Sequence, residues 1–135
     1  MFRFKPSLKA RPTPPLEPID GFFFATRQSD ISFGGDRANP TRYRPTLSIR
    51  FREGLALVLP ATSKSQNAGL PWFFAISPNE VLWQKPESRP TFVYCMYETV
   101  PLASIGEKIG VVSQNTRMNI AHWLHGINKT GGCHG

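Results

Sequence analysis

The segment from Arg42 to Lys64 constrains the fold more than any other. In RYRPTLSIRF the period is two, so Pro45, Leu47, Ile49 and Phe51 share one face of an extended strand, while Arg44, Thr46, Ser48, Arg50 and Arg52 share the other. One face is apolar and the other cationic. Glu53-Gly54 supplies a tight turn, and LALVLP follows as a strand apolar on both faces, as a central strand of a buried sheet requires. GFFFATR, WFFAIS, VLWQK and TFVYCMY are further short apolar or aromatic runs, separated by turn signals such as Ser77-Pro78-Asn79-Glu80 and KPESRP. These spacings read as hairpins. Five or six such strands predict a mainly β chain with few helices, built as a compact antiparallel barrel or a highly curved sheet.

The last element has a different period. Ser113 is an N-cap, and Ile120, Trp123, Leu124 and Ile127 fall at three- and four-residue spacing, which predicts one amphipathic α-helix from about Gln114 to His125, with Gly126 as its stop. Residues 128–135 are then expected to form a flexible tail. At the other end, residues 1–20 hold five of the thirteen prolines and read as a proline-rich arm preceding a single domain at residues 21–127. The polar, glycine-bearing stretch from Gln28 to Thr41 reads as a long loop.

Charge is placed unevenly. The 135 residues carry a formal charge of +7, and residues 1–52 hold ten Lys/Arg against four Asp/Glu. Arg37, Arg42, Arg44, Arg50 and Arg52 cluster around Tyr43 and Phe51, a pattern that attracts nucleic acid or an acidic protein segment, the alternative being a solvated basic face. Charged residues are only 19% of the chain, which excludes a disordered polyelectrolyte. No apolar run is long enough to span a bilayer, and MFRFKPSLKARPTPP lacks the apolar stretch of a signal peptide, so no membrane association and a cytoplasmic location are expected. Cys95 sits in an apolar run and Cys133 in the terminal GGCHG; the first reads as a core residue and the second as a free thiol, with no disulfide scaffold. His122, His125, Cys133 and His134 match no standard zinc spacing, so no metal is expected.

The hairpin places chemistry at one rim. Counted from Glu53, Arg44 lies nine residues back and Thr62 nine forward, so an antiparallel pairing sets Arg44 beside Thr62 and Ser63. A guanidinium fork binds two phosphate oxygens and stays charged at physiological pH, and a neighbouring hydroxyl donates to a third oxygen. Such a pair forms a phosphate clamp. When an RNA 2′-hydroxyl attacks its adjacent phosphorus, charge grows on the equatorial oxygens, and preorganised donors there stabilise the transition state. Arg44 in a surface ion pair, with Thr62-Ser63 merely opening a turn, is the other reading of the same residues.

At these positions the sequence resembles a known family. Gly21 leading an apolar strand, Arg44-Pro45 opening the next, LVLPATSK after it, and the later ASIGEKIGVVSQNTRMNIAHWL are similar to the PemK/MazF toxins of bacterial toxin–antitoxin systems. The resemblance implies an SH3-like barrel, usually a homodimer, that cleaves single-stranded RNA without metal or other cofactor and leaves a 2′,3′-cyclic phosphate. It further implies an antitoxin partner whose often acidic tail covers the RNA groove. Carried over, Arg44 holds the scissile phosphate and assists proton transfer, while Thr62, helped by Ser63, hydrogen-bonds a non-bridging oxygen. The chain departs from the family pattern at Phe22, where an acidic residue is common, and at TFVYCMYE, where some members carry an aspartate and an arginine. Glu98 is the nearest carboxylate there and is the candidate general base if it lines the groove, the other reading being a carboxylate at a strand end that faces solvent. Arg42, Arg50, Arg52 and Lys64, with Tyr43 and Tyr97 as stacking surfaces, are the candidate RNA contacts. A non-catalytic SH3-like module that binds nucleic acid or an acidic partner through its arginine face is the competing function.

Overall fold

The computed structural model of the protein describes residues 18–34 and 42–133. The alternating segment forms strand β2 (Tyr43–Arg52) and the apolar run forms β3 (Leu55–Thr62). Glu53 and Gly54 join them with φ of 52° and 80°, the two positive values that a two-residue hairpin turn of matching twist requires. β1 (Phe22–Arg27) pairs with the other edge of β2 and also with β8 (Ile105–Val112), which in turn carries β5 (Val81–Trp83). The free edge of β3 is shared: Leu55–Val58 pair with β7 (Glu98–Pro101), and Ala61–Thr62 pair with β6 (Thr91–Tyr94), which carries β4 (Phe73–Ile76). Pro60, which has no N–H to donate, falls in the gap between those two segments.

Every pairing is antiparallel, and the eight strands run in the order β4-β6-β3-β2-β1-β8-β5, with β7 branching from β3. The sheet is barrel-like and does not close among the described residues. Inside it Phe23, Leu47, Leu59, Ile76 and Val93 meet Ile120 and Leu124 of the helix α1 (Gln114–Thr130). Full burial of each such side chain stabilises the fold by roughly 1.5–3 kcal/mol. A second, smaller cluster of Ile31, Ala56, Val58 and Val100, flanked by Phe33 and Ile105, uses the opposite face of β3. LALVLP is apolar on both faces because both faces are packed. Among the described residues no helix is long and apolar enough to cross a membrane.

Four expectations are corrected. The polar face of β2 is not a continuous cationic surface: Thr46 and Ser48 are fully buried, and the irregularity at Ile49 turns the alternation over, so that Phe51 shares the face of Thr46 and Ser48 while Arg50 and Arg52 lie on the other. The two buried hydroxyls are used internally: Thr46 shares a 2.7 Å hydrogen bond with Thr26, and Ser48 Oγ accepts from the Phe22 N–H at 3.1 Å. The strands are also not a chain of consecutive hairpins, since β5 and β6 flank one turn yet pair with β8 and with β3 and β4. Nor does α1 stop at His125. Ser113 caps it as expected, accepting from Thr116 N–H, but it runs through Gly126 to Thr130 and ends at Gly131 in the left-handed conformation. Finally, Cys95 and Cys133 form a disulfide, with Cα atoms 5.8 Å apart. The proline-rich stretch before Pro18, Arg37 and His134 lie outside the described residues.

Candidate phosphate-binding groove

Arg44 is the second residue of β2 and sits across from Thr26 of β1. On its other side the β2–β3 ladder runs Ser48↔Val58, Leu47↔Leu59 and Thr46↔Pro60, a register that, continued two rungs, sets Arg44 opposite Thr62. A two-residue turn alone would give Ser63. The partner is Thr62 because β2 carries a bulge at Ile49, which adds one residue to that strand between Arg50↔Leu57 and Ser48↔Val58.

The guanidinium is held from several directions. Its Nη1 donates to the carbonyl oxygen of Ala61 at 3.1 Å, which anchors it next to Thr62. Its Nε donates to Gln28 Oε1 at 2.6 Å, and its central carbon lies 5.1 Å from the centroid of the Phe33 ring, within cation–π range. Gly34, at φ 88°, completes the fit, since a Cβ there would collide with Arg44 Nη2. Thr62 is buried apart from a small exposed fraction, and its Oγ1 accepts the Lys64 N–H at 3.3 Å, which leaves the hydroxyl proton to be donated elsewhere.

Arg44, Thr62 and Ser63 line a groove of about 460 Å³ together with Arg42, Tyr43 and Lys64 on the hairpin side. The opposite wall comes from the end of β5 and the chain that follows it, with Trp83, Gln84, Lys85, Glu87 and Arg89, and from Glu107 of β8. Trp83 is fixed by stacking on Phe23, centroids 4.9 Å apart. Five cations and two carboxylates face the groove. Both carboxylates are engaged: Glu107 accepts from Gln84 at 2.9 Å, and Glu87 pairs with Arg89 at 3.2 Å, whose hydrogen bond holds the Glu87 carboxyl below its ordinary range. The net field therefore favours a polyanion.

Of the candidate residues named from the sequence, the structure brings Arg42, Tyr43, Arg44, Thr62, Ser63 and Lys64 into this one groove. Arg50 and Arg52 sit at the turn end of β2, six and eight residues further on, or about 20–26 Å at the rise of a strand. Tyr97 is half exposed on the connection between β6 and β7 and does not line the groove. Glu98 lies elsewhere as well: its two carboxylate oxygens accept the backbone N–H groups of Ser32 and Phe33 at 2.7 and 3.1 Å, so it latches a loop. Sequence reasoning missed Gln28, Phe33, Trp83, Lys85 and Arg89. Gln28 carried no signal of its place, because the buried positions of β1 change phase between Phe23 and Thr26, where its pairing with β8 is irregular.

No protein-family model and no curated protein matches the sequence. In structure the chain is similar to the Mycobacterium tuberculosis toxin MazF-mt6, with a TM-score of 0.56 and 17% sequence identity over 84% of this chain and 97% of that one. Identity that low speaks to architecture alone, and on architecture this chain has a MazF/PemK-like fold.

Proposed function

We propose that the chain is the toxin of a toxin–antitoxin pair, an endoribonuclease that cuts single-stranded RNA with Arg44 and Thr62 at the scissile phosphate. The observation that carries this reading is the guanidinium of Arg44 fixed on the Ala61 carbonyl, one residue from the Thr62 hydroxyl, in a groove lined by an excess of cations. In the reaction the 2′-oxygen bonds to phosphorus and the P–O5′ bond breaks, which gives a 2′,3′-cyclic phosphate and a 5′-hydroxyl. The 2′-hydroxyl loses its proton and the 5′-oxygen takes one up, both by exchange with solvent in the open groove. Arg44 and Thr62 stabilise the charge that grows on the non-bridging oxygens, each donor being worth on the order of 10²–10³ in rate at a site of this type. The permanent charge of Arg44 takes the part that a divalent cation plays in other nucleases, which makes cleavage metal-independent. Ser63 donates beside Thr62, and Arg42, Lys64 and Tyr43 hold the flanking nucleotides.

The same groove suits an acidic antitoxin segment, whose carboxylates compete with phosphates for the cations. The working unit is a homodimer. To test the reading, the purified chain is incubated with single-stranded RNA in EDTA and the cut ends are mapped. Cyclic phosphate ends that disappear in Arg44→Ala support it. RNA that is bound and left intact sinks the nuclease and establishes a binding module in its place.

A further inference from the structure

We propose that Gln28 is the positioning residue of Arg44, setting the direction of its guanidinium for the cleavage step; the inference rests on the nuclease reading above. An arginine side chain near a groove rim has many rotamers, and its fork is useful only when one of them is enforced. Gln28 is fully buried, so both ends of its amide need partners. Its Oε1 accepts from Arg44 Nε at 2.6 Å, and its Nε2 donates to the Phe33 carbonyl at 2.8 Å and lies 3.4 Å from that of Ile31.

The orientation of that amide follows from its partners. Arg44 offers only donors and the two carbonyls only acceptors, so a flipped amide would set N–H against N–H and oxygen against oxygen. Gln28 therefore couples the guanidinium to the loop Ile31–Gly34. That loop in turn lays the Phe33 ring against Arg44 and brings Gly34 up against Nη2. On its outer side the loop is latched by Glu98 through the Ser32 and Phe33 N–H groups, across a sequence separation of 66 and 65 residues. Few side chains can replace Gln28. Glutamate would place a carboxylate oxygen against the Phe33 carbonyl, and methionine fills the volume while bonding neither partner.

The test compares Gln28→Met, Glu98→Gln and wild type as full-length chains. Single-turnover cleavage gives the rate, and an RNA with a 2′-deoxy nucleotide at the cut site gives the affinity. Gln28→Met is expected to cut about 100-fold more slowly, the size of loss that follows a misplacement near 1 Å, with affinity held within about twofold. The Arg44 Nε–H resonance, held by Gln28 in wild type, is expected to exchange slowly there and to disappear in this variant. Rate and affinity falling together, or a rate equal to wild type, overturns the proposal and leaves the nuclease reading standing. Should Gln28→Met fail to show a folding transition, Glu98→Gln decides: a several-fold slower rate at unchanged affinity supports positioning, and an unchanged rate overturns it. A wild-type chain that cuts no RNA removes the nuclease reading first, and this inference with it.

Discussion

Cys133 is bonded to Cys95, so the chain just beyond α1 is tied to the end of β6, next to Tyr94, whose ring packs on Phe33 at 5.0 Å. The bridge closes a loop across 38 positions, and constraining the unfolded chain over that length stabilises the fold by about 4 kcal/mol at most in the chain-entropy treatment. Cys133→Ser is expected to lower the unfolding free energy by about 2–4 kcal/mol, read as an earlier urea midpoint, and reductant should bring wild type down to the variant. Thiol titration of the denatured, unreduced chain is expected to find no free thiol. Two reactive thiols and a midpoint indifferent to reductant would refute the bridge.

What the sequence made legible was local. Alternation from Arg44 to Ser48, the Glu53-Gly54 turn and the doubly apolar LALVLP identify β2, β3 and the central place of β3, because each signal lies within a few residues of its consequence; past Ile49 the bulge reverses which residues share a face. Sheet order did not follow, since β5 pairs with β8 and β4 with β6 through contacts between segments far apart in the chain. The rung that joins Arg44 to Thr62 came from a count centred on Glu53. The turn itself is centred one half-residue later, and the bulge at Ile49 restores the count. Neither the disulfide nor the Gln28 clamp announces itself, because two cysteines or one glutamine carry no geometry until the chain has folded around them.

Thr62→Val keeps the shape of a nearly buried side chain and deletes its hydroxyl. If that hydroxyl meets a non-bridging oxygen, cleavage of single-stranded RNA slows by about 10²-fold while affinity for a non-cleavable RNA stays near wild type. The Lys64 N–H loses its acceptor in the same variant, so a thermal scan accompanies the kinetics. An unaltered cleavage rate in a folded variant would remove Thr62 from the reaction.

Thr26 and Thr46 share one hydrogen bond of 2.7 Å in a fully buried setting between β1 and β2. Thr46→Val alone leaves the Thr26 hydroxyl without a partner and is expected to cost about 1–3 kcal/mol, whereas Thr26→Val with Thr46→Val removes both polar groups and recovers most of it. Denaturant midpoints of the two single variants and the double variant measure this coupling. Strict additivity would show that the pair is not acting as a unit.

RNA binding should depend on which arginines and lysines face the groove rather than on how many the hairpin carries. Lys64 lines the groove; Arg52 lies eight residues beyond Arg44, at the turn. For single strands the slope of log affinity against log salt falls by about 0.7 for each phosphate that the protein ceases to neutralise. Lys64→Ala is therefore expected to flatten the slope by about 0.7 and weaken binding at low salt, while Arg52→Ala leaves the slope unchanged. Titrations of a labelled oligoribonucleotide at several salt concentrations separate the two. Equal slopes for both variants would mean that the RNA follows the whole length of β2 and that the groove does not define its path.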